Sequence, residues 1–184
     1  MNEKVVLVDK FDNEVGTMDK IEAHLKGLLH RAVSVFIFNS RGEMLIQKRA
    51  LEKYHSPGIW SNAACTHPRL KEEPILAAKR RLKEEMGIIT EIEFSFVFTY
   101  KADLDQNLIE HELDHVFIGY SDEKPNYNPN EVCDFKYISK IELEIELEKN
   151  SSSYSAWFKL CYEKAYLSQN KELKKQNKTF VNAS

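Results

Sequence analysis

The run Ala77-Ala78-Lys79-Arg80-Arg81-Leu82-Lys83-Glu84-Glu85-Met86-Gly87 reads as a helix with a paired carboxylate near its end. Ile75, Ala78, Leu82 and Met86 fall on one face at helical spacing, and Gly87 supplies a C-terminal stop. Pro74 suits the first turn, and Glu72 and Glu73 suit the positive end of the dipole. On the same wheel Arg81 and Glu85 flank the apolar seam, while Glu84 points away to water. A side chain at the margin of a buried seam reaches a pocket. Just before this helix lies Gly58-Ile59-Trp60-Ser61-Asn62-Ala63-Ala64-Cys65-Thr66-His67-Pro68, read as a loop bounded by glycine and proline. It brings an aromatic ring, an amide, a thiol and an imidazole close to the paired carboxylate.

Strands surround this centre. Val5–Val8 is a short β-like run, Phe11–Gly16 a turn and second strand, and Met18–Leu25 a helix interrupted by Gly27. Val33–Phe38 and Met44–Arg49 form a hairpin turning near Gly42. Glu91–Tyr100 is a strand, Ala102–Asn107 a loop, Glu110–Ile118 a strand and Phe135–Ile138 a last short strand. Ile141–Lys149 alternates Glu with aliphatics, but Ile141 and Ile145 also match helical spacing and Glu is a good helix former, so it is read as helix. Tyr154–Leu167 is a helix with Trp157, Leu160 and Cys161 on one side. This order predicts a layered α+β single domain over residues 1–170, with a polar, disordered tail at 171–184.

The chain has 184 residues, room for one well-buried domain, and 42% hydrophobic against 30% charged residues is ordinary for a soluble globular protein. A net charge of −3 argues against broad binding of nucleic acid or anionic membranes, which takes a large positive excess. No apolar run nears the roughly 20 residues that span a bilayer. Met1–Val5 lacks a signal-peptide core, and the three cysteines make no disulfide framework. The expected compartment is the reducing cytosol and the expected state a monomer.

Strand alternation puts Glu110 and Glu112 on one face and His111 and His115 on the other. A lone Glu-x-Glu is ordinarily a solvated strand face. His24, His30 and His67 in or beside probable loops change the balance. Three imidazoles and two carboxylates suit a five- or six-coordinate Mn2+ or Zn2+. His55, His111 and His115 have no comparable case and are read as structural or solvent-facing. A cysteine is usually a small buried apolar residue, the reading given to Cys133 and Cys161. Cys65 differs, because it lies two residues before His67 in a polar loop where a cation would lower its pKa. Lys20, Arg49, Lys53 and Arg81 are each ordinary surface charges, and together suit a diphosphate.

The helix Arg80–Ile88 with Glu72 upstream resembles a degenerate Nudix box, with Thr66 in place of the usual glycine and Arg80-Arg81 in place of Arg-Glu. Those departures are what type I isopentenyl-diphosphate isomerases show. The chain resembles that family along most of its length. Gly16-Thr17-Met18-Asp19-Lys20, His24 with Leu29-His30-Arg31-Ala32, Gln47-Lys48-Arg49-Ala50, Pro57–Asn62, Cys65-Thr66-His67-Pro68, Glu110-His111-Glu112 and Tyr154-Ser155-Ala156-Trp157-Phe158 line up in order. Ordered motifs in this number are highly specific, although any one alone is weak.

The resemblance implies a Nudix fold and interconversion of isopentenyl and dimethylallyl diphosphate. It implies that Cys65 and Glu112 work on opposite faces of the substrate, with Tyr100 assisting Glu112 and Trp157 stabilising a carbocation-like intermediate. It matches His24, His30, His67, Glu110 and Glu112 to metal ligands, and Glu85 to the residue holding Mg2+ against the diphosphate. Lys20, Arg49, Lys53, Thr66 and Arg81 match substrate contacts. Two rivals remain open to the sequence. A Nudix hydrolase of nucleoside diphosphate derivatives would want Glu where Arg81 stands. A non-catalytic Nudix binding module would have no reason to keep Cys65, Glu112 and the three histidines together.

Overall fold

The computed structural model describes residues 3 to 181 except 54, 105 and 106, with side chains as far as 169. The expected tail at 171–184 therefore falls outside the described side chains, and 182–184 outside the described backbone.

β1 (Lys4–Val8) and β2 (Glu14–Asp19) pair antiparallel. Asp19 then caps α1 (Lys20–Lys26), its carboxylate accepting from the backbone N–H groups of Ile21 and Glu22. Gly27 ends α1 at φ 59°, a left-handed conformation that costs glycine nothing. The chain then turns back at once into β3 (His30–Phe38).

β3 is the spine of the sheet. One edge runs parallel to β8 (Ile109–Tyr120), from His30 beside Glu112 to Phe38 beside Tyr120. Its other edge is shared in turn by β1 at His30, by β6 (Ala64–Thr66) at Val33–Val35, and by β4 (Met44–Arg49) at Ile37 and Phe38. β7 (Ile92–Asp103) lies outside β8, while β5 (Trp60–Asn62) and β9 (Val132–Ile138) pair with β4. The described residues thus make one nine-stranded mixed sheet.

Side-chain alternation along β3 sorts the core. Val33, Val35 and Ile37 pack with Ala77, Ala78, Leu82 and Met86 of α2 (Pro74–Met86). Phe36 and Phe38 pack with Trp157, Phe158, Cys161 and Tyr166 of α4 (Ala156–Val181). α3 (Lys140–Asn150) opens with a capping box between Ser139 and Glu142 and buries Leu143 against the α4 side. This is the expected α+β single domain.

Several local expectations change. The Gly58–Pro68 loop contains β5 and β6, because β4 and β3 offer ladder partners to its backbone. β7 runs through Ala102 and Asp103, expected as loop, while 105 and 106 lie outside the described residues. Ile75 shares the phase of the α2 seam but sits in the first turn and stays 36% exposed. Ile141 and Ile145 are exposed, so α3 packs on Leu143 and Leu147 instead. Leu160 is exposed although Trp157 and Cys161 are buried. Cys133, expected to be buried, is exposed, and its thiol donates to the Arg49 carbonyl.

Candidate active site

In a ladder, directly paired residues present their side chains to the same face. Cys65 pairs with Ser34, His30 pairs with Glu112, and Tyr100 pairs with Glu112. His30 and Ser34 are four residues apart along β3 and so share a face. Cys65, His30, Glu112 and Tyr100 therefore stand on the α4 side of the sheet. Glu110 and Asp114 join them by alternation along β8, and all three carboxylates are buried. His111 and His115 take the other face: His111 Nδ1 lies 2.9 Å from the Gly27 carbonyl, and His115 Nε2 lies 2.9 Å from Asp12 Oδ2.

Four of the expected metal ligands converge. One donor atom from each of His24, His30, His67 and Glu112 lies within 4.8 Å of all the others. His24 Nδ1 is 2.7 Å from the Lys20 carbonyl and His30 Nδ1 is 2.8 Å from the Leu28 carbonyl. A carbonyl only accepts, so it fixes the proton on Nδ1 and leaves Nε2 as a lone-pair donor. His30 Nε2 faces His67 Nε2 at 3.2 Å, and His67 Nε2 faces Glu112 Oε1 at 2.9 Å. Buried nitrogen lone pairs and an acid crowded at these distances suit a borderline divalent cation, and the carbonyls on His24 and His30 are second-sphere partners of the kind that orient metal ligands, while buried His67 Nδ1 makes no hydrogen bond. Glu110, expected as a fifth ligand, stands one step aside. The Tyr100 hydroxyl lies 2.7 Å from Glu112 Oε2 and 3.1 Å from Glu110 Oε2, a donor shared between the two carboxylates.

Burial pushes Glu110 well above the usual carboxylate range, and the neighbouring Glu112 adds to the push. Burial would raise Glu112 as well, but the imidazoles of His30 and His67 outweigh it and hold this acid well below that range. The Cys65 thiol is pushed up to about 12, first by burial and then by the charges of Glu85 and Glu112. The expectation that a cation would lower it fails because burial dominates, and the downward pull of Arg49 and Lys53 is further opposed by Glu85 and Glu112.

Trp157 is fixed by its Nε1–H, which donates to Asn62 Oδ1 at 3.0 Å. The Arg49 guanidinium lies over its ring, 5.5 Å from the centroid. Arg49 is itself held by the Ser56 and His55 carbonyls. His55 is not the bystander expected. Its ring meets Trp157 edge-on at 6.1 Å and approaches His24 at 6.3 Å, with Nδ1 3.9 Å from Glu110 Oε1. Burial first, then Arg49 and Lys20, press its pKa down to about 2. No spacing rule could have found it, since it arrives on an irregular segment.

Glu85 is buried at the α2 margin, as the wheel required, while Glu84 is more exposed. Gln47 Nε2 donates to Glu85 Oε2. Arg81 Nε lies 2.6 Å from Glu85 Oε1, but at an angle too poor for a hydrogen bond, so this contact is electrostatic. Lys20 pairs with Glu3 at 3.0 Å. Glu131, which the sequence did not single out, accepts from both Lys53 and Arg81. A single cavity of about 870 Å3 has a lining that includes Lys20, Arg49, Lys53, Thr66 and Arg81, together with Cys65, His67, Glu85, Glu110, Glu112 and Trp157.

Residues 28–158 match the NUDIX domain family. The curated Isopentenyl-diphosphate Delta-isomerase of Pectobacterium atrosepticum is 49% identical over 159 residues, covering 86% of this chain and 89% of its own. Isopentenyl-diphosphate Delta-isomerase 2 of Aromatoleum aromaticum is 46% identical over 164 residues, 89% of this chain and 87% of that one. The chain belongs to the isopentenyl-diphosphate Delta-isomerase family. Its fold also matches DR0079 from Deinococcus radiodurans, with a TM-score of 0.73 over 88% of this chain and 98% of that one at 19% identity. That likeness concerns the fold alone. For an isopentenyl-diphosphate isomerase family member, the departures at Thr66 and Arg81 in the box helix region lose their oddity, since both residues line the cavity. No helix among the described residues is long and apolar enough to cross a membrane.

Proposed function

We propose that this chain interconverts isopentenyl and dimethylallyl diphosphate in the cavity described above. What carries the reading is that Cys65, Glu112 and Trp157 share one cavity with Arg49, Lys53 and Arg81. A proton-transfer pair beside an aromatic face suits the alkene, and the cations suit the diphosphate. One of the pair, Cys65 or Glu112, gives a proton to the terminal alkene carbon, and the other takes one from the allylic carbon. The proton count therefore closes in either direction. Tyr100 hydrogen-bonds Glu112 and holds its carboxylate in place. Between the two steps the charge resembles a tertiary carbocation, which needs a pocket with little water and a π face. Trp157, itself 3% exposed, supplies that face.

Lys20, Arg49, Lys53, Thr66 and Arg81 bind the diphosphate end, and Glu85 would hold Mg2+ against it. His24, His30, His67 and Glu112 are the core of the ligand set for Mn2+ or Zn2+, with Glu110, one step aside, as its fifth member. When bound, such a cation withdraws electron density from Glu112, and Mg2+ offsets diphosphate charge. The enzyme works on this small substrate as a cytosolic monomer.

Incubation with isopentenyl diphosphate and Mg2+, followed by product analysis, tests the reading. Dimethylallyl diphosphate is expected. Phosphate release would point to a hydrolase, and no change to a binding module. Cys65→Ala and Cys65→Ser are expected to lose about 10²–10⁴-fold in kcat with the fold intact. Activity within about tenfold of the natural chain would remove Cys65 from the mechanism.

A further inference from the structure

The cations of the cavity are already answered by carboxylates. Arg81 presents all three guanidinium nitrogens to acids: Nε 2.6 Å from Glu85, Nη1 3.3 Å from Glu84, and Nη2 on Glu131. Lys53 also donates to Glu131, and to the same oxygen, Oε2. A single carboxylate oxygen thus sits between two cations that line the cavity. Glu131 hangs from a clamped backbone. Its N–H donates to the Asn128 carbonyl at 2.9 Å, its carbonyl accepts from Ala50 at 3.0 Å, and Asn128 N–H donates to the Glu85 carbonyl at 2.9 Å. The backbone is fixed, while the side chain remains partly open to the cavity at 23% exposure. The part free to move is the carboxylate.

We propose that Glu131 is a resident counter-ion, occupying between Lys53 and Arg81 the seat that a substrate diphosphate takes, and that it sets the selectivity of this end of the cavity. The inference rests on the diphosphate reading given above. Displacing that one oxygen frees both Lys53 Nζ and Arg81 Nη2, while Arg81 Nε and Nη1 stay beside Glu85 and Glu84. A diphosphate can engage both at once and displace the carboxylate. A single phosphate, with fewer charges and a shorter reach, competes less well. Glu131 therefore weakens anion binding overall and weakens monophosphates most.

Titration calorimetry with inorganic diphosphate and inorganic phosphate tests this on the Mg2+-loaded chain, with no turnover needed. Glu131→Gln keeps the shape and removes the charge. It is expected to bind diphosphate at least roughly fivefold more tightly, and phosphate by a larger factor, so that the ratio between them narrows. KM for isopentenyl diphosphate should fall while kcat stays within about twofold. Weaker binding of both anions in Glu131→Gln would overturn the proposal, since Glu131 would then be a tether holding Lys53 and Arg81 in place. Unchanged binding would overturn it too. Should Glu131→Gln fold poorly, Glu131→Asp, which is too short to bridge both cations, must shift affinities in the same direction. Tighter anion binding without any isomerisation would sustain the counter-ion and sink only the isomerase reading.

Discussion

Trp157 takes part in packing and, on the proposed function, in chemistry, and the two can be separated by choice of substitution. Its indole N–H donates to buried Asn62, and its ring lies against Arg49 and His55. Trp157→Phe and Trp157→Leu both lose the hydrogen bond to Asn62, so both should melt lower. Only Trp157→Leu also loses the π face. A contact that exists only with the developing charge raises kcat rather than lowering KM. A desolvated cation–π contact is worth about 2 kcal/mol, so Trp157→Leu should lose roughly tenfold to thirtyfold in kcat with little change in KM, and Trp157→Phe clearly less. Melting curves and steady-state kinetics on both variants check it. Equal kcat in the two would leave Trp157 a packing residue. At this scale much of the site was legible, because Cys65, His67, Glu110 and Glu112 each carry a chemical type and a strand or loop position that the sequence displays. His55 and Glu131 were not legible. Their roles come from where irregular segments line the cavity, and neither segment has a periodicity to read.

The α2 element starts without a side-chain cap, since Glu73 at the N-cap makes no capping hydrogen bond. Glu72 acts at a distance instead: its two oxygens take Arg80 Nε and Nη2 at 2.7 and 2.9 Å, and Oε2 also accepts from Arg69 N–H at 2.8 Å. This bidentate pair ties the entry of the helix to its second turn. The Arg80 hydrogen bonds hold the Glu72 carboxyl below its ordinary 4.5. A lowered folded pKa stabilises above the unfolded value and is lost as pH falls through the folded one. Glu72→Gln should therefore melt below the natural chain at neutral pH, and the two melting temperatures should converge as pH drops below 4.5. A gap that persists undiminished in acid would assign the pair no electrostatic role. The same helix shows what a wheel can and cannot tell. Leu82, Met86 and Glu85 are placed correctly because angular phase decides them. Ile75 is misplaced because exposure in the first turn depends on where the helix sits along its axis. β5 and β6 escaped notice for a different reason. Strands of three residues made of Trp-Ser-Asn and Ala-Cys-Thr have no alternation, and only their ladder partners define them.

Across the whole molecule, the proposed metal ligands come from separate parts of the chain: α1, the start of β3, the residue after β6, and β8. A cation that binds only this folded arrangement stabilises it by mass action, by about 2.7 kcal/mol at a hundredfold excess over Kd. For a chain of this size that corresponds to roughly 5–10 °C in Tm. Chelation should lower Tm by about that amount in the natural chain and in His115→Ala, whose ring faces away from the site. In His67→Ala the chelator should have little left to remove, and elemental analysis should find the metal depleted. Metal lost from His115→Ala but retained by His67→Ala would invert the face assignment.

The parallel pairing of β3 with β8 also bears on how the chain reaches this state. Ser34 and Asp114, hydrogen-bonded at 2.7 Å across that ladder, are 80 residues apart in sequence. Parallel neighbours cannot form by a local hairpin, and long-range closures are entropically slow. His30 and Glu112 sit on the first rung of the same ladder. Their rung closes across the same long separation, so its formation is expected to be slow relative to the local hairpins. A nascent chain stopped short of β8 holds His24, His30, His67 and Cys65 but lacks Glu112, and so cannot assemble the four-residue ligand group.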